Sequence, residues 1–193
     1  MTTKVVAING SPRKKGNTQL MLDAVVETIG AAGIDVEQIS LTDYDVRPCN
    51  GCERCSKKPW DCPTKDDAVK VLRKMVAADG ILMGSPVYCG GVTAQLKALM
   101  DRSVIVYSAM ELKNKVGGAL SCGGSRHGGQ ELTIAQIATF FTMQDMIVAN
   151  CSGGLSGAMG VGNDRGEVKN DSEGLKSARN LGDRMVELLK SEK

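Results

Sequence analysis

Four cysteines lie within fourteen residues of one another and together could bind a metal centre. Their spacing is C-x2-C-x2-C-x6-C, at Cys49, Cys52, Cys55 and Cys62, and Pro63 follows directly. Two-residue spacings let three thiolates of one turn reach three corners of a compact cluster, and the fourth returns after a short loop. Structural zinc sites use two C-x2-C pairs that are usually separated by about a dozen residues or more. The spacing therefore favours an iron–sulfur cluster over zinc, and disfavours four metal-free thiols, which would oxidise or scavenge metal.

A second candidate site is the polar segment 10–18, which lies between a short apolar run and residues with helical apolar spacing. This pattern predicts a strand, a loop and a helix. Backbone N–H groups at a helix N-terminus favour an anion, and Ser11, Thr18 and Arg13 add hydroxyls and a guanidinium. The loop has neither the G-x-G-x-x-G nor the P-loop pattern, so a mononucleotide with one terminal phosphate is favoured over a dinucleotide or a triphosphate. The alternative is an ordinary surface turn.

Two further glycine-rich loops follow predicted strands. The loop at 85–91 can pass its backbone closely along a flat ring system, with Tyr88 available to cover the ring. The loop at 121–129 offers free N–H groups together with Arg126 and His127. A flavin needs hydrogen-bond donors near N1 and O2, where negative charge collects on reduction, and this loop is the best-placed candidate. Each loop taken alone is equally a turn that requires glycine.

Several other reactive or aromatic residues have two interpretations. His127, the only histidine, is either a proton donor to reduced flavin or substrate, or a residue before a helix that is satisfied by backbone groups, and the second interpretation is favoured. Cys89, Cys122 and Cys151 each follow a predicted strand, and we interpret them as small buried hydrophobic residues. Trp60 either shields the metal centre or anchors its segment by burial.

Five strands alternating with five helices position these groups. The predicted strands are residues 5–8, 34–39, 81–83, 115–120 and 146–149. Helices are predicted between them and at the C-terminus, one of them starting at the [ST]-x-x-[DE] pattern that begins with Thr64. This alternation predicts an α/β fold, a flavodoxin-like open five-stranded parallel sheet in the order 2-1-3-4-5 with helices on both faces. The glycine-rich loops and the cysteine segment then meet at the carboxyl edge of the sheet.

Length and composition are consistent with one domain spanning residues 1–193. Residues 44–64 have no usable period and are predicted to be a cysteine-rich insertion, and the glycine-rich interval 151–170 is predicted to be a loop or an interface arm. A net charge of +2 from interspersed charges predicts no binding to nucleic acid or to an anionic membrane. The sequence contains neither a bilayer-length apolar run nor a signal segment, so we expect a cytoplasmic protein.

Two motifs resemble a known family. The segment GSPRKKGNT at 10–18, together with GSPVY at 84–88, resembles the NAD(P)H-dependent FMN reductase superfamily of flavodoxin-like proteins, and the match extends from Lys4 to about Asn150. The cysteine motif narrows the resemblance to the iron–sulfur flavoproteins of anaerobic archaea and bacteria. The resemblance implies FMN and one 4Fe-4S cluster, the latter on the four cysteines of the motif.

The resemblance also implies site residues and partners. The implied phosphate contacts are Ser11, Arg13, Asn17 and Thr18, the ring contacts are Pro86, Val87, Tyr88 and Cys89, and the pyrimidine contacts are Ser121, Cys122, Gly123 and Gly124. Members of this family form dimers or tetramers, and their cluster lies near an FMN that can belong to a neighbouring subunit. They are thought to take electrons from ferredoxin and to reduce oxygen or peroxide.

The sequence therefore predicts an electron-transfer oxidoreductase. One alternative is an NAD(P)H-dependent flavin or quinone reductase whose cysteine segment binds zinc and only stabilises the edge of the site. Another is a non-catalytic flavodoxin-like module whose metal-binding segment docks a partner.

Overall fold

A parallel β-sheet forms the centre of the structure, a computed structural model that describes residues 3–151 and 157–191. The strands are β1 (Lys4–Asn9), β2 (Asp35–Ser40), β3 (Gly80–Pro86), β4 (Val116–Gly123), β5 (Ile147–Ala149) and β6 (Ala158–Val161). The helices are α1 (Asn17–Ala31), α2 (Arg54–Lys57), α3 (Ala68–Ala77), α4 (Ala94–Arg102), α5 (Val104–Tyr107), α6 (Gln130–Met143) and α7 (Ser172–Ser191).

The strand order is β2-β1-β3-β4-β5, and the paired strands all run parallel. This confirms the predicted flavodoxin-like order. The inner strands β1, β3 and β4 are almost continuously buried, as expected for a parallel sheet with helices on both faces. β2 has an alternating, more exposed sequence, and it lies at one edge.

The glycine-rich interval after β5 contains a strand that the sequence analysis missed. β6 pairs with residues 120–123 of β4, whereas β5 pairs with residues 116–118. The two short strands therefore follow one another along the same side of β4. The prediction of a loop over 151–170 is wrong for these residues, because four residues containing one glycine are too short to show a period. Residues 152–156 of the predicted arm lie outside the described residues.

Two apolar cores lie on opposite faces of the sheet. One contains the buried faces of α1 and α7, and the other contains those of α3, α4 and α6. β4 is glycine-rich because both cores approach it closely. A Cβ at Gly117 would lie 2.7 Å from the Phe141 ring, and one at Gly118 would collide with Met185 on the other face.

The predicted helix start at Thr64 is wrong, since α3 begins four residues later. The acidic residues of that pattern instead bind the start of the cysteine segment. The Asp66 carboxylate accepts the N–H of Arg47 at 2.9 Å. The Asp67 carboxylate accepts the N–H of Asp45 at 3.0 Å, and the Asp67 N–H donates to the Asp45 carbonyl at 2.7 Å. These contacts hold residues 45–47 against the start of α3.

No helix in the described part of the chain has the length and apolar character needed to span a bilayer.

Candidate functional site

Three loops at the carboxyl edge of the sheet form most of the lining of one cleft of about 130 Å³. They follow β1, β3 and β4, as the strand order requires. The cleft is lined by Ser11, Arg13, Gly16, Asn17, Thr18, Pro86, Val87, Tyr88, Cys122, Gly123, Gly124, Gly162 and Asn163. Ten of the twelve residues predicted for cofactor binding therefore lie around one space.

The N-terminus of α1 forms one end of this cleft. Gly16 is the N-cap residue and offers no capping side chain, and the first turn contains no acidic residue. The first N–H groups of a helix lack intrahelical partners, and the macrodipole makes this end attractive to a negative group. Ser11 is buried and its Oγ accepts the N–H of Arg13 at 3.1 Å, which shapes the loop around that helix end.

Asn17 lines the cleft, and its carboxamide is hydrogen-bonded to a neighbouring loop. Its Nδ2 donates to the carbonyl of Asp164 at 2.8 Å, and its Oδ1 accepts the N–H groups of Gly166 at 2.8 Å and Val168 at 3.4 Å. The carboxamide therefore connects the start of α1 to the loop after β6. It holds Gly162 and Asn163 against the cleft.

The second loop is connected to both of its neighbours. The Val87 N–H donates to the Cys122 carbonyl at 3.0 Å, and Thr93 Oγ1 donates to the Gly10 carbonyl at 2.6 Å. Tyr88 lines the cleft and is 44% exposed. Cys89 is exposed, has a positive φ of 49° and does not line the cleft, so the interpretation as a buried residue is wrong for this cysteine.

The residues of the third loop differ in whether they face the cleft. Gly123 and Gly124 line the cleft, whereas Ser121 is fully buried and its hydroxyl has no partner among the described residues. Burial raises the pKa of Cys122 to about 12, and the charges of Asp171 and Glu167 add to this effect. Cys122 is thus a neutral thiol at neutral pH.

His127 and Cys151 lie away from the cleft lining. His127 is exposed in the turn before α6 and does not line the cleft. Cys151 is buried, and burial raises the pKa of its thiol to about 11. This agrees with its interpretation as a small buried residue.

Gly162 and Asn163 line the cleft but were not predicted from the sequence. They follow β6, and the Gly162 N–H donates to the Gly123 carbonyl at 2.9 Å. The one available signal was the polar Gly-Asn pair after a short stretch containing Met159 and Val161. That stretch is too short to be recognised as a strand.

Asp171 fixes this side of the cleft. Its carboxylate accepts the N–H groups of Val161 at 2.8 Å and Gly174 at 3.1 Å, and it pairs with Arg126 at 2.8 Å. Burial raises the pKa of Asp171, but the hydrogen bonds outweigh burial and the net pKa is lowered. One ionised side chain therefore joins the third loop, β6 and the start of α7.

The four cysteines of the motif line a second cavity, of about 90 Å³. All four are free thiols: Cys55 is buried, Cys62 is partly buried, and Cys49 and Cys52 are exposed. Burial raises the pKa of Cys55, and the charges of the other three cysteines raise it further. Within residues 3–151 and 157–191, no three His, Cys, Asp or Glu side chains converge on a point that would hold a single metal ion.

Two of these sulfur atoms accept hydrogen bonds. Cys49 Sγ accepts the N–H of Gly51 at 3.4 Å, and Cys62 Sγ accepts from Arg102 Nη2 at 3.2 Å. Arg102 also forms a buried ion pair with Asp66. Burial raises the pKa of Asp66, but the hydrogen bonds from Arg102, Arg47 and Ala68 outweigh burial, and the net pKa is lowered.

Comparison with known proteins gives the chain a family. The sequence pattern of the NADPH-dependent FMN reductases matches residues 3–158. An iron-sulfur flavoprotein of Methanocaldococcus jannaschii is 49% identical over 189 residues, which cover 97% of each chain. One from Methanosarcina thermophila is 43% identical over 75% of this chain and 76% of its own length. The chain belongs to the iron-sulfur flavoprotein family.

Solved structures share the fold of this iron-sulfur flavoprotein. A RosB structure with a bound formylriboflavin phosphate intermediate has a TM-score of 0.81 at 18% identity, covering 98% of this chain and 80% of that chain. A WrbA-like flavodoxin from Agrobacterium tumefaciens has a TM-score of 0.66 at 20% identity over the full length of both chains. With its family, this fold makes the chain an FMN-dependent oxidoreductase.

The residues present suit both groups that the family name implies. The cleft presents helix N–H donors, and a Cβ on Gly124 would lie 3.3 Å from Asn163 Oδ1, so the third loop and the loop after β6 approach each other closely there. The second cavity presents four thiols, two of which already accept hydrogen bonds. The thiolates of a four-iron cluster bind different iron atoms and need not converge on one point.

Proposed function

We propose that this protein takes single electrons from a ferredoxin-type donor through a 4Fe-4S cluster to FMN and delivers them to an acceptor such as oxygen or peroxide. One observation carries this proposal. The segments that line the cleft with its helix N–H donors, and those that line the cavity with its four thiols, follow strands that end at the same edge of one sheet. An iron–sulfur cluster exchanges one electron, whereas a flavin supplies the chemistry that joins one-electron donors to two-electron acceptors.

For FMN, we assign the phosphate to the end of the cleft formed by Ser11, Arg13 and the N-terminus of α1, with Asn17 and Thr18. Thr18 is buried and Arg13 is exposed, so Arg13 can close over a bound phosphate. We assign the ring to Pro86, Val87 and Tyr88, and its pyrimidine edge to Cys122, Gly123 and Gly124. Neither Cys89 nor Ser121 lines the cleft, which weakens their assignment.

For the cluster, we assign Cys49, Cys52, Cys55 and Cys62 as ligands. The four sulfur atoms line one cavity of about 90 Å³, so four thiolates there would repel one another without a metal. A bound cluster offsets this repulsion, because the iron stabilises the deprotonated sulfur.

A second candidate function is an NAD(P)H-dependent FMN or quinone reductase in which the cysteine segment binds zinc. The family pattern is that of NADPH-dependent reductases, and a quinone-type NAD(P)H dehydrogenase of Afipia carboxidovorans is 27% identical over 76% of this chain. The partly exposed Tyr88 leaves room for a nicotinamide to approach the ring site.

We also propose that the chain assembles as a homodimer or homotetramer. An apolar groove of about 800 Å³ lies between α4, α5 and α6, where Val104, Tyr107, Leu132 and Met143 are exposed. Exposed apolar patches of this kind favour protein contacts. Light scattering of the purified protein measures the subunit number.

The experiment that tests the function is an anaerobic absorption spectrum with iron, acid-labile sulfide, zinc and FMN assayed on the same sample. We expect about four iron and four sulfide per FMN, the content of one four-thiolate cluster, and reduction by a reduced ferredoxin. Zinc without sulfide, together with rapid oxidation of NAD(P)H, would instead favour the second candidate.

A further inference from the structure

Arg102, the last residue of α4, makes an unusual set of contacts beside the cysteine cavity. Its side chain is only 1% exposed. Nη2 donates to Cys62 Sγ at 3.2 Å and to Asp66 Oδ1 at 3.1 Å, and Nη1 donates to Asp66 Oδ2 at 2.5 Å and to the Arg47 carbonyl at 3.0 Å. One guanidinium therefore contacts both ends of the cysteine segment and the carboxylate that follows it.

Stability of the fold does not account for this arrangement. Burying a cation and a carboxylate carries a desolvation penalty that their attraction often fails to exceed, and apolar residues of similar volume are frequently as stable. The Nε of Arg102 has no hydrogen-bond partner among the described residues, so one donor of the buried guanidinium is unsatisfied. The contact to Cys62 Sγ lies outside the ion pair with Asp66, and replacing the pair by apolar residues would remove it.

We propose that Arg102 is a positioning residue for the iron–sulfur centre: it holds the Cys62 sulfur in place and raises the reduction potential of the centre, and Asp66 orients it. This inference rests on the proposed function. Reduction adds one electron to the centre, without gain or loss of an atom, and the sulfur ligands become more negative. A hydrogen-bond donor on such a sulfur stabilises the reduced state, because hydrogen bonds to sulfur are among the factors that set these potentials.

Two substitutions test the inference, because they are expected to shift the midpoint potential in opposite directions. Arg102→Lys keeps the positive charge beside Asp66, but an ammonium cannot span two carboxylate oxygens, a carbonyl and a sulfur as a planar fork does. Asp66→Asn keeps an oxygen acceptor but removes the negative charge that offsets Arg102. The matched control is Arg54→Lys, because Arg54 forms a bidentate pair with Asp61 in the same segment and donates to no sulfur within the described part of the chain.

The midpoint potential of the holoprotein is measured by anaerobic titration with dithionite, the one-electron source, after assay of iron, sulfide and FMN. We expect Arg102→Lys to disfavour reduction at least tenfold, which is 59 mV for one electron, and Asp66→Asn to shift the potential upward. Arg54→Lys should leave it unchanged. Loss of iron and sulfide from Arg102→Lys, with FMN retained, would equally support the positioning role.

Other results would overturn the inference. A fully loaded Arg102→Lys protein with the potential of the unaltered protein would show that the contact to Cys62 has no effect on the centre. Loss of FMN together with the iron would assign Arg102 to folding of the whole domain. Zinc without sulfide in the unaltered protein would overturn the proposed function as well, which separates that failure from the first.

Discussion

Arg13 and Lys14 are adjacent residues with the same charge, but only Arg13 lines the cleft. Lys14 pairs with Asp43 at 2.5 Å on the surface. We expect Arg13→Gln to weaken FMN binding about tenfold, or about 1.4 kcal/mol, since a charge-assisted hydrogen bond to an exposed group contributes at this level. Lys14→Gln should leave affinity unchanged. Fluorescence titration of the flavin-free protein measures both, and equal losses would contradict the phosphate assignment.

Cys122 gives the stability of the protein a dependence on alkaline pH. Its pKa is raised from 9.0 to about 12 by burial, so the unfolded chain loses the thiol proton at a lower pH than the folded chain does. The stability contributed by the neutral thiol is complete below pH 9.0 and is lost as the pH rises toward 12. Between pH 8 and 10.5, Cys122→Ala should therefore lose less unfolding free energy than the unaltered protein in urea denaturation. An identical loss would contradict this origin.

At the level of elements, Asp171 connects the third loop, β6 and the start of α7. Asp171→Asn replaces one acceptor oxygen by a donor, which leaves one of the two backbone N–H groups without its partner and weakens the pair with Arg126. We expect a loss of about 1–2 kcal/mol in unfolding free energy and weaker FMN binding. Glu173→Gln is the control, because Glu173 contacts the same arginine at 3.6 Å with its side chain 82% exposed. Equal effects of the two changes would contradict the role of Asp171.

The elements also show what the sequence could and could not predict. Strands such as β3 and helices such as α7 were predictable, because a continuous apolar run and a helical apolar stripe both follow from burial. β6 and the start of α3 were not, because both depend on partners distant in the chain: β4 for the first, and residues 45–47 for the second. Asn17 shows the same limit at the site: the family resemblance implied a phosphate contact, but nothing in the sequence indicated that its carboxamide also binds the loop after β6.

At the scale of the whole molecule, the cleft joins segments that follow four strands, so FMN binding should stabilise the entire domain. At a free FMN concentration of 100 times Kd we expect about 2.7 kcal/mol of added stability. Cys52→Ala should lose the cluster yet gain the same stability from FMN, because Cys52 lines the cysteine cavity and not the cleft. Cys89→Ala, which lies in neither lining, should keep both groups. Calorimetry with and without FMN measures the increments, and loss of the FMN effect in Cys52→Ala would contradict the independence of the two sites.

The strand order made the meeting of the three loops predictable, because parallel strands end at a common edge. That Gly162 and Asn163 also line the cleft was not predictable, because the chain must pair with β4 a second time, through β6, to bring them there.

Trp60 lies within the cysteine segment, where the Arg73 guanidinium stands 4.6 Å from its ring centroid, and it is the only tryptophan of the chain. The indole emission of the protein therefore originates in the cysteine segment, from a ring that packs against the apolar core on the α3 side of the sheet. We expect loading or loss of the proposed metal centre to change this emission, which can be recorded without a label because the remaining aromatic residues are three tyrosines and two phenylalanines.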